Sequence, residues 1–407
     1  MMKPVVITGF GAVTPVGIGR EITWQNLIEG NSGVGPITAF DASGLAVRIA
    51  AEVRGFDPAN YLDRKRVRRT ARFTQFAVAA AREAVADAHL DIGDGRDTGV
   101  VINTAVAGFD TIEAATRRLL ADRPLSPSFV PSSLTNMPAC EVAIDLGVHG
   151  PVHAGAYACA SGSEALLRAR QLILAGEAEV VIAGGTDAGI TPVTFAGLIP
   201  SGALSQHNDY PARACRPFDA GRDGFVYGEG AVIAIVESAE HAARRGVKPY
   251  AELRAGALTA DAFHVTAPAP AGQHAAEAIR LAVRRSGIDP VDLDLICAHA
   301  TGTVAGDRAE ASAIRQALGC TASQIAVSSP KSVTGHLIGA AGGLSAMVCA
   351  LAIRDGIVPP TVNLTAPDPD CDLDHVANVA RRLPVRAALT TAFGFGGQNC
   401  VTVLAAI

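Results

Sequence analysis

The chain has 407 residues, 49% of them hydrophobic and 18% charged. This balance excludes a disordered protein, which needs low hydrophobicity and high charge, and the length suits two or three domains or one large α/β unit. A net charge of −5 offers no overall basic surface for nucleic acid or an anionic membrane.

Taken in chain order, Val5–Thr8 reads as a strand running into a Gly-rich loop; its apolar run is too short for a signal peptide. Apolar, β-branched runs follow at Gly99–Ile102, Val180–Ala183, Ala231–Val236, Leu293–Ala298, Ile325–Ser328 and Cys400–Leu404. Ala-rich helical patterns lie between them, at Phe73–His89, Ser161–Ala175, Ala275–Ser286 and Asp307–Leu318. Alternating strands and helices predict an α/β chain with mostly parallel, buried sheets. The uncharged run Leu337–Ile353 is 17 residues long, short for a membrane span, and reads as a buried helix. The segment Tyr250–Gln273 is small and polar, so the division into two halves is placed there, as 1–250 and 251–407.

The eight Cys form no CxxC, and the chain contains no HExxH motif, so no metal site is expected. Scattered free thiols fit a reducing cytoplasm. Cys159, in His153-Ala-Gly-Ala-Tyr-Ala-Cys-Ala-Ser-Gly-Ser163, follows a β-like segment and precedes a helix that Ser161 and Ser163 can cap. The partial positive charge of that helix end is expected to lower the thiol pKa. A buried structural cysteine is the competing reading. His299 ends an apolar run and is followed by Thr301 and Thr303; it faces a cavity or is a satisfied residue at a strand end. Lys331 and His336 stand in Lys331-Ser-Val-Thr-Gly-His336, before a helix of small residues whose dipole disfavours protonation of His336. Lys occurs at only four positions, and one entering a buried region needs a partner. The glycines after Lys331 are no phosphate loop, because no GxxxxGK[ST] is present. Phe393-Gly-Phe-Gly-Gly397 makes a loop whose freed N–H groups can stabilise an oxyanion. One thiol nucleophile with two His donors suits thioester chemistry and enolate stabilisation.

The chain resembles the β-ketoacyl-acyl carrier protein synthases, nearest to synthase II of type II fatty acid synthesis. The resemblance rests on Ala158-Cys-Ala-Ser-Gly162, Val181-Ile-Ala-Gly-Gly-Thr-Asp187 and the run from Arg216 to Gly230. It continues in His299-Ala-Thr-Gly-Thr303 through Asp307, Ser329-Pro-Lys-Ser-Val-Thr-Gly-His336 and Phe393 to Asn399. It implies a thiolase-like fold, two duplicated halves forming a five-layered αβαβα core, usually as a homodimer. It implies that Cys159 takes an acyl chain from acyl carrier protein, and that malonyl-carrier protein then decarboxylates. His299 and His336 would stabilise the enolate, with Lys331 supporting their network. By the same resemblance the N–H groups of Cys159 and Phe395 form the oxyanion hole, and Phe395 gates the site. Thr266, Thr301 and Thr303 contact the phosphopantetheine arm that carries the substrate, and Val106 lines the acyl tunnel. The enzyme itself is expected to bind no cofactor.

Three departures from the family pattern stand out. The carboxylate usual 14 residues after the lysine is Ser345; His-Gly-Thr is His299-Ala300-Thr301; and Gln398 replaces a common Thr. They keep open a specialised type II polyketide or polyene ketosynthase paired with a chain-length-factor subunit. A non-catalytic chain-length factor would have lost Cys159, and a thiolase would use a second Cys in place of His336. The segment Asp63–Arg72 holds six cations and one carboxylate. Arg64, Lys65, Arg68 and Arg69 are its candidates for docking the acidic carrier. A solvated helix start is the alternative, and the sparse aromatics give no support for nucleic acid.

Overall fold

The computed structural model describes residues 4–407; Met1, Met2 and Lys3 lie outside it. The main sheet is built from β1 (Val5–Thr14), β2 (Thr98–Asn103), β3 (Val152–His153), β4 (Val180–Asp187), β5 (Gly230–Ser238) and β6 (Ala251–Ala260). The later strands are β7 (Leu295–Cys297), β8 (Ala326–Ser328), β9 (Asp374–His375), β10 (Ala387–Gly394) and β11 (Gln398–Ala405). The helices that matter for the site are α1 (Arg64–Arg69), α2 (Arg72–Asp87), α3 (Ser161–Ala175) and α4 (Gln273–Ser286). They are followed by α5 (Val304–Leu318), α6 (Lys331–Thr334) and α7 (Ala341–Asp355).

The strand order β9-β8-β7-β10-β11-β6-β1-β5-β4-β2-β3 contains one pattern twice. In the first run β2 pairs parallel with β3 and β4, β4 antiparallel with β5, and β5 antiparallel with β1. In the second, β7 pairs parallel with β8 and β10, β10 antiparallel with β11, and β11 antiparallel with β6. The two runs meet where β1 and β6 pair antiparallel, Val6 opposite Glu252.

The apolar residues sort into layers by which face they line. Phe73, Phe76, Ala77, Ala80 and Ala84 recur at helical spacing on α2 and pack on the outer face of the first strand set. Ala275, Ala278, Ile279 and Ala282 of α4, with Ala311 and Ile314 of α5, cover the outer face of the second. Between the sets lie α3 and α7, in contact with each other and sharing one core. The result is the thiolase-like αβαβα sandwich.

The central layer explains why α7 shows no polar face: Ala341–Ala352 is buried throughout. By length and composition Ile338–Asp355 could cross a membrane, yet 83% of it is enclosed here. Two helices this close need small residues. A Cβ on Gly342 would stand 2.3 Å from the Ser163 nitrogen, well inside van der Waals contact. Gly342→Val is therefore expected to cost about 3 kcal/mol or more, read as a lowered urea midpoint; an unchanged midpoint would contradict the tight crossing.

Two expectations need correction. The sheet is mixed rather than mostly parallel, because β10 turns directly into β11 and β1 joins β6 across the centre. Ala251–Ala260, which looks uncommitted in sequence, is strand β6. Its inward positions are Ala251, Leu253, Ala255 and Ala257, and alanine gives little hydrophobic contrast to a period of two.

Candidate active site

Cys159 lies in a single 3-10 turn, Ala158–Ala160, that feeds straight into α3. Ala158 sits at φ 46°, a left-handed conformation that costs a residue with a Cβ. The same device recurs in the second half: Ile338, at φ 52°, opens the turn before α7, two residues after His336. Each central helix thus begins with a strained elbow, and the elbows carry the thiol and one of the imidazoles. The strand expected to run into Cys159 ends at His153, and residues 154–157 are irregular. Ser161 does not cap α3. Its hydroxyl accepts from Tyr157 N at 3.0 Å, while the N-cap, Ala160, has no side-chain oxygen to offer.

The Cys159 thiol is pushed up to about 11, against the lowering expected from the helix end. Burial is the largest cause, since only 9% of the residue is exposed. Lys331 and the N–H groups of Phe395 and Cys159 itself act in the opposite direction. Those two N–H groups face the sulfur because the β10–β11 loop passes very close: a Cβ on Gly394 would meet Tyr157 O at 2.9 Å and Cys159 N at 3.2 Å.

His299 and His336 meet edge to face, ring centroids 5.5 Å apart. Burial, followed by the Lys331 charge, holds both well below the usual imidazole range, with His336 adding to the effect on His299. Both rings are therefore neutral at pH 7. His336 Nδ1 accepts from Ile338 N at 3.2 Å, so its proton lies on Nε2, which has no partner among the described residues. The expected neutrality holds, but burial and Lys331 account for it ahead of any helix dipole. His336 N donates to Val226 O and Gly228 N to His336 O, each at 2.8 Å, so the Arg216–Gly230 motif fixes this ring's backbone.

One cavity of about 790 Å³ brings most of the expected residues together. Cys159, His299, His336 and Phe395 line it, with Thr266, Thr301 and Thr303. Thr301 and Thr303 share a hydroxyl contact at 3.1 Å, and Thr266 is exposed. Val106, Phe109, Leu198, Phe225, Tyr227 and Ile338 supply an apolar wall. Lys331 is not on the wall but buried behind it, 2% exposed, with its ammonium held below the usual lysine range by burial. Ser345 lies on α7, also off the cavity.

The basic segment forms a separate recess of about 340 Å³, in which Arg64, Lys65, Arg68 and Arg69 meet Ser126 and Ser128. Half of its six cations are tied down internally. Arg66 pairs with Glu141 and Asp145, Arg69 with Glu141 at 3.3 Å, and Arg72 with Glu229 at 2.7 Å. Arg64, Lys65 and Arg68 are the exposed ones.

Three buried carboxylates organise the site without having been singled out in the sequence. Asp187 accepts from Ala105 N, Val106 N and Gly339 N at 2.7–3.0 Å, joining the Val106 loop to the loop after His336. Glu310 accepts from His299 N at 2.9 Å, Ala300 N at 2.6 Å and the Thr391 hydroxyl. Asp307 accepts from Gly302 N and Phe218 N and pairs with buried Arg222. Asp307 and Glu310 are three apart on α5, so both face the His299–Thr303 loop. That spacing was the available signal. Among the described residues no group of three or more His, Cys, Asp or Glu could hold a metal ion.

Comparison with known proteins bears on what this cavity is for. The chain matches the "Beta-ketoacyl synthase, N-terminal domain" over residues 2–242 and the "Beta-ketoacyl synthase, C-terminal domain" over 250–365. It is 47% identical to the 3-oxoacyl-[acyl-carrier-protein] synthase 2 of Synechocystis sp., over 98% of this chain and 96% of that protein. It is 44% identical to the protein of the same name from Staphylococcus aureus, over 98% of each. A solved ishigamide ketosynthase/chain length factor superposes with a TM-score of 0.94 at 34% identity, covering all of both chains. A type II PKS acyl-carrier protein in complex with its ketosynthase, bound to the hexaketide, gives 0.92 at 33%, again over all of both chains. With both halves matched and relatives this similar over nearly its whole length, the chain belongs to the β-ketoacyl synthase family.

Proposed function

We propose that this chain catalyses the decarboxylating condensation of an acyl chain on Cys159 with malonyl-acyl carrier protein, lengthening the chain by two carbons. The observation that carries this reading is the cavity that ends at a thiol, two neutral imidazoles and two convergent N–H groups. The Cys159 sulfur attacks the acyl thioester carbonyl. Its proton leaves with the released phosphopantetheine thiol, and the transient oxyanion is met by the N–H groups of Cys159 and Phe395. Malonyl-carrier protein then enters. Its C–CO₂ bond breaks, carbon dioxide leaves, and the electron pair forms an enolate. The enolate oxygen is held by the neutral His336 through its Nε2–H, together with His299. The nucleophilic carbon attacks the acyl carbonyl, the C–S bond to Cys159 breaks, and the departing thiolate takes one proton from water.

In this reading Thr266, Thr301 and Thr303 hold the phosphopantetheine arm, Val106 bounds the acyl tunnel, and Phe395 gates entry. Lys331 supports the network from behind. The substrates ride on the carrier's arm, and the enzyme needs no cofactor of its own. The two catalytic halves are 1–250, with Cys159, and 251–407, with both His. The enzyme works in the cytoplasm as a homodimer. The solved ketosynthase/chain length factor relative favours a second assembly, a heterodimer with such a subunit.

Intact mass spectrometry tests the reading. The protein is incubated with acyl-carrier proteins of varied chain length and unsaturation, followed by malonyl-carrier protein. An acyl adduct on Cys159 that converts to a carrier-bound β-ketoacyl product is the expected result. Absence of acylation, alone and with a chain-length-factor subunit added, would overturn it.

The exposed cations Arg64, Lys65 and Arg68 fit the carrier's acidic surface. Arg64→Glu with Arg68→Glu is expected to weaken carrier binding by about tenfold or more at low salt, and to flatten its salt dependence. Equal affinities across a salt series would move the docking surface elsewhere. Arg69 is left in place because it also holds Glu141.

A further inference from the structure

Three residues that line the cavity each hold a buried side-chain polar atom with no hydrogen-bond partner among the described residues: His299 Nδ1, His336 Nε2 and the Tyr227 hydroxyl. The first two belong to the rings that hold the enolate in the mechanism above. The third has no task there. An unpaired buried hydroxyl is destabilising, and phenylalanine would fill the same space without it.

Tyr227 is 2% exposed. Its backbone is joined to His336 by a β-bridge, and its ring packs against Phe195 and Phe225, with centroids 5.8 and 6.4 Å away. The hydroxyl ends against Gly189 and Val106: a Cβ on Gly189 would stand 2.3 Å from the hydroxyl oxygen and 3.0 Å from Val106 Cγ2. Glycine at 189 thus leaves the room that the hydroxyl occupies. The polar groups nearby are already committed. Asp187, the last residue of β4, takes the Thr104 hydroxyl and Val106 N on one oxygen, and Ala105 N and Gly339 N on the other. Glu229 is held by Val53 N and Arg72. Thr194, another hydroxyl lining the cavity, pairs with Thr191 at 3.1 Å. Burial, followed by the Asp187 charge, holds the phenol well above its ordinary range, so it keeps its proton and can donate.

We infer that Tyr227 is a specificity-determining residue: its hydroxyl donates to an oxygen on the acyl chain, so that the enzyme prefers chains bearing a keto or hydroxyl group over saturated ones. The inference deepens the function proposed above and rests on it, since in that reading the acyl chain is what runs past Val106. Like His336 Nε2, the phenol oxygen is closed off from bulk solvent, so its partner arrives with the substrate. Val106, Leu198, Phe225 and Ile338 make the rest of this wall apolar and accept hydrocarbon of any kind. A saturated chain leaves the hydroxyl unpaired, whereas an oxygen at the matching carbon pairs it. A site with such a donor discriminates against the analogue lacking the acceptor more strongly than an apolar pocket discriminates between hydrocarbons.

The test compares octanoyl-carrier protein with carrier-bound chains of equal length in which a single ketone is moved along the chain. kcat/KM for condensation is measured in wild type and in Tyr227→Phe, which removes one oxygen. Wild type is expected to favour one ketone position over the saturated chain by about tenfold or more, and Tyr227→Phe to bring that ratio to within about twofold of unity. Equal values for ketone and saturated chains in wild type, the result if water satisfies the hydroxyl, would overturn the inference. So would a preference that survives in Tyr227→Phe. A second readout needs no turnover: Cys159 is alkylated with haloacetyl reagents carrying the same ketone chains, and the ketone stretch is read by infrared spectroscopy. A lower frequency in wild type than in Tyr227→Phe is expected at the favoured position, and identical frequencies at every position would overturn the inference. An enzyme that shows the shift but condenses no carrier substrate would refute the function and leave this hydrogen bond standing.

Discussion

Cys159→Ala is expected to lower condensation by roughly 10⁴-fold or more while leaving the fold intact, because no other group on the cavity wall can hold an acyl thioester. The other buried thiols cannot substitute, because Cys215, Cys297, Cys349, Cys371 and Cys400 all lie off the cavity wall. The fold survives because the change removes one sulfur from a turn already lined by Ala158 and Ala160. The same residue gives a pH signature. With its pKa raised to about 11, alkylation of the resting enzyme should climb about tenfold per pH unit between pH 7 and 10. A rate that levels off near pH 8 would mean that Lys331 and the two N–H groups outweigh burial. Retained elongation in Cys159→Ala would remove the nucleophile assignment altogether.

The other large effect is expected at the imidazoles. His336→Ala removes the Nε2–H donor, and His299→Ala removes the ring beside it. Losing one preorganised donor to a developing oxyanion costs about 10²–10³-fold. The loss should fall on malonyl decarboxylation and much less on self-acylation of Cys159, because the proposed mechanism gives the acyl oxyanion to the N–H groups of Cys159 and Phe395. Single-turnover acylation by mass, set against carbon dioxide release, separates the two steps. Loss of acylation with decarboxylation intact would reverse the assignment. Because both rings are held well below the usual imidazole range, the acidic limb of decarboxylation should lie well under pH 6.5. An enzyme that lost activity on protonation near pH 6.5 would place these rings in a more solvated setting.

Much of this site was legible from local pattern. Cys159, His299 and His336 stand out because each ends an apolar run or precedes a helix of small residues, and a chain packed this way leaves polar side chains at element ends. The α7 helix was legible because 17 residues without a charge must be buried somewhere. The capping role given to Ser161 and Ser163 did not hold, since a hydroxyl's partner depends on which loop lies beside it; here that is Tyr157.

Composition and periodicity determined the α/β class, and the motifs determined which residues could carry thioester chemistry. These are local properties, set by side chains close along the chain. Only the tertiary structure decided the rest, because charge and burial are properties of neighbours brought from far away. It set a thiol before α3 and an imidazole before α7 on matching elbows, through a duplication that no short repeat announces. It made burial, rather than a helix end, govern the protonation of Cys159 and His336. It divided the basic segment into cations bound to Glu141, Asp145 and Glu229 and cations left to solvent.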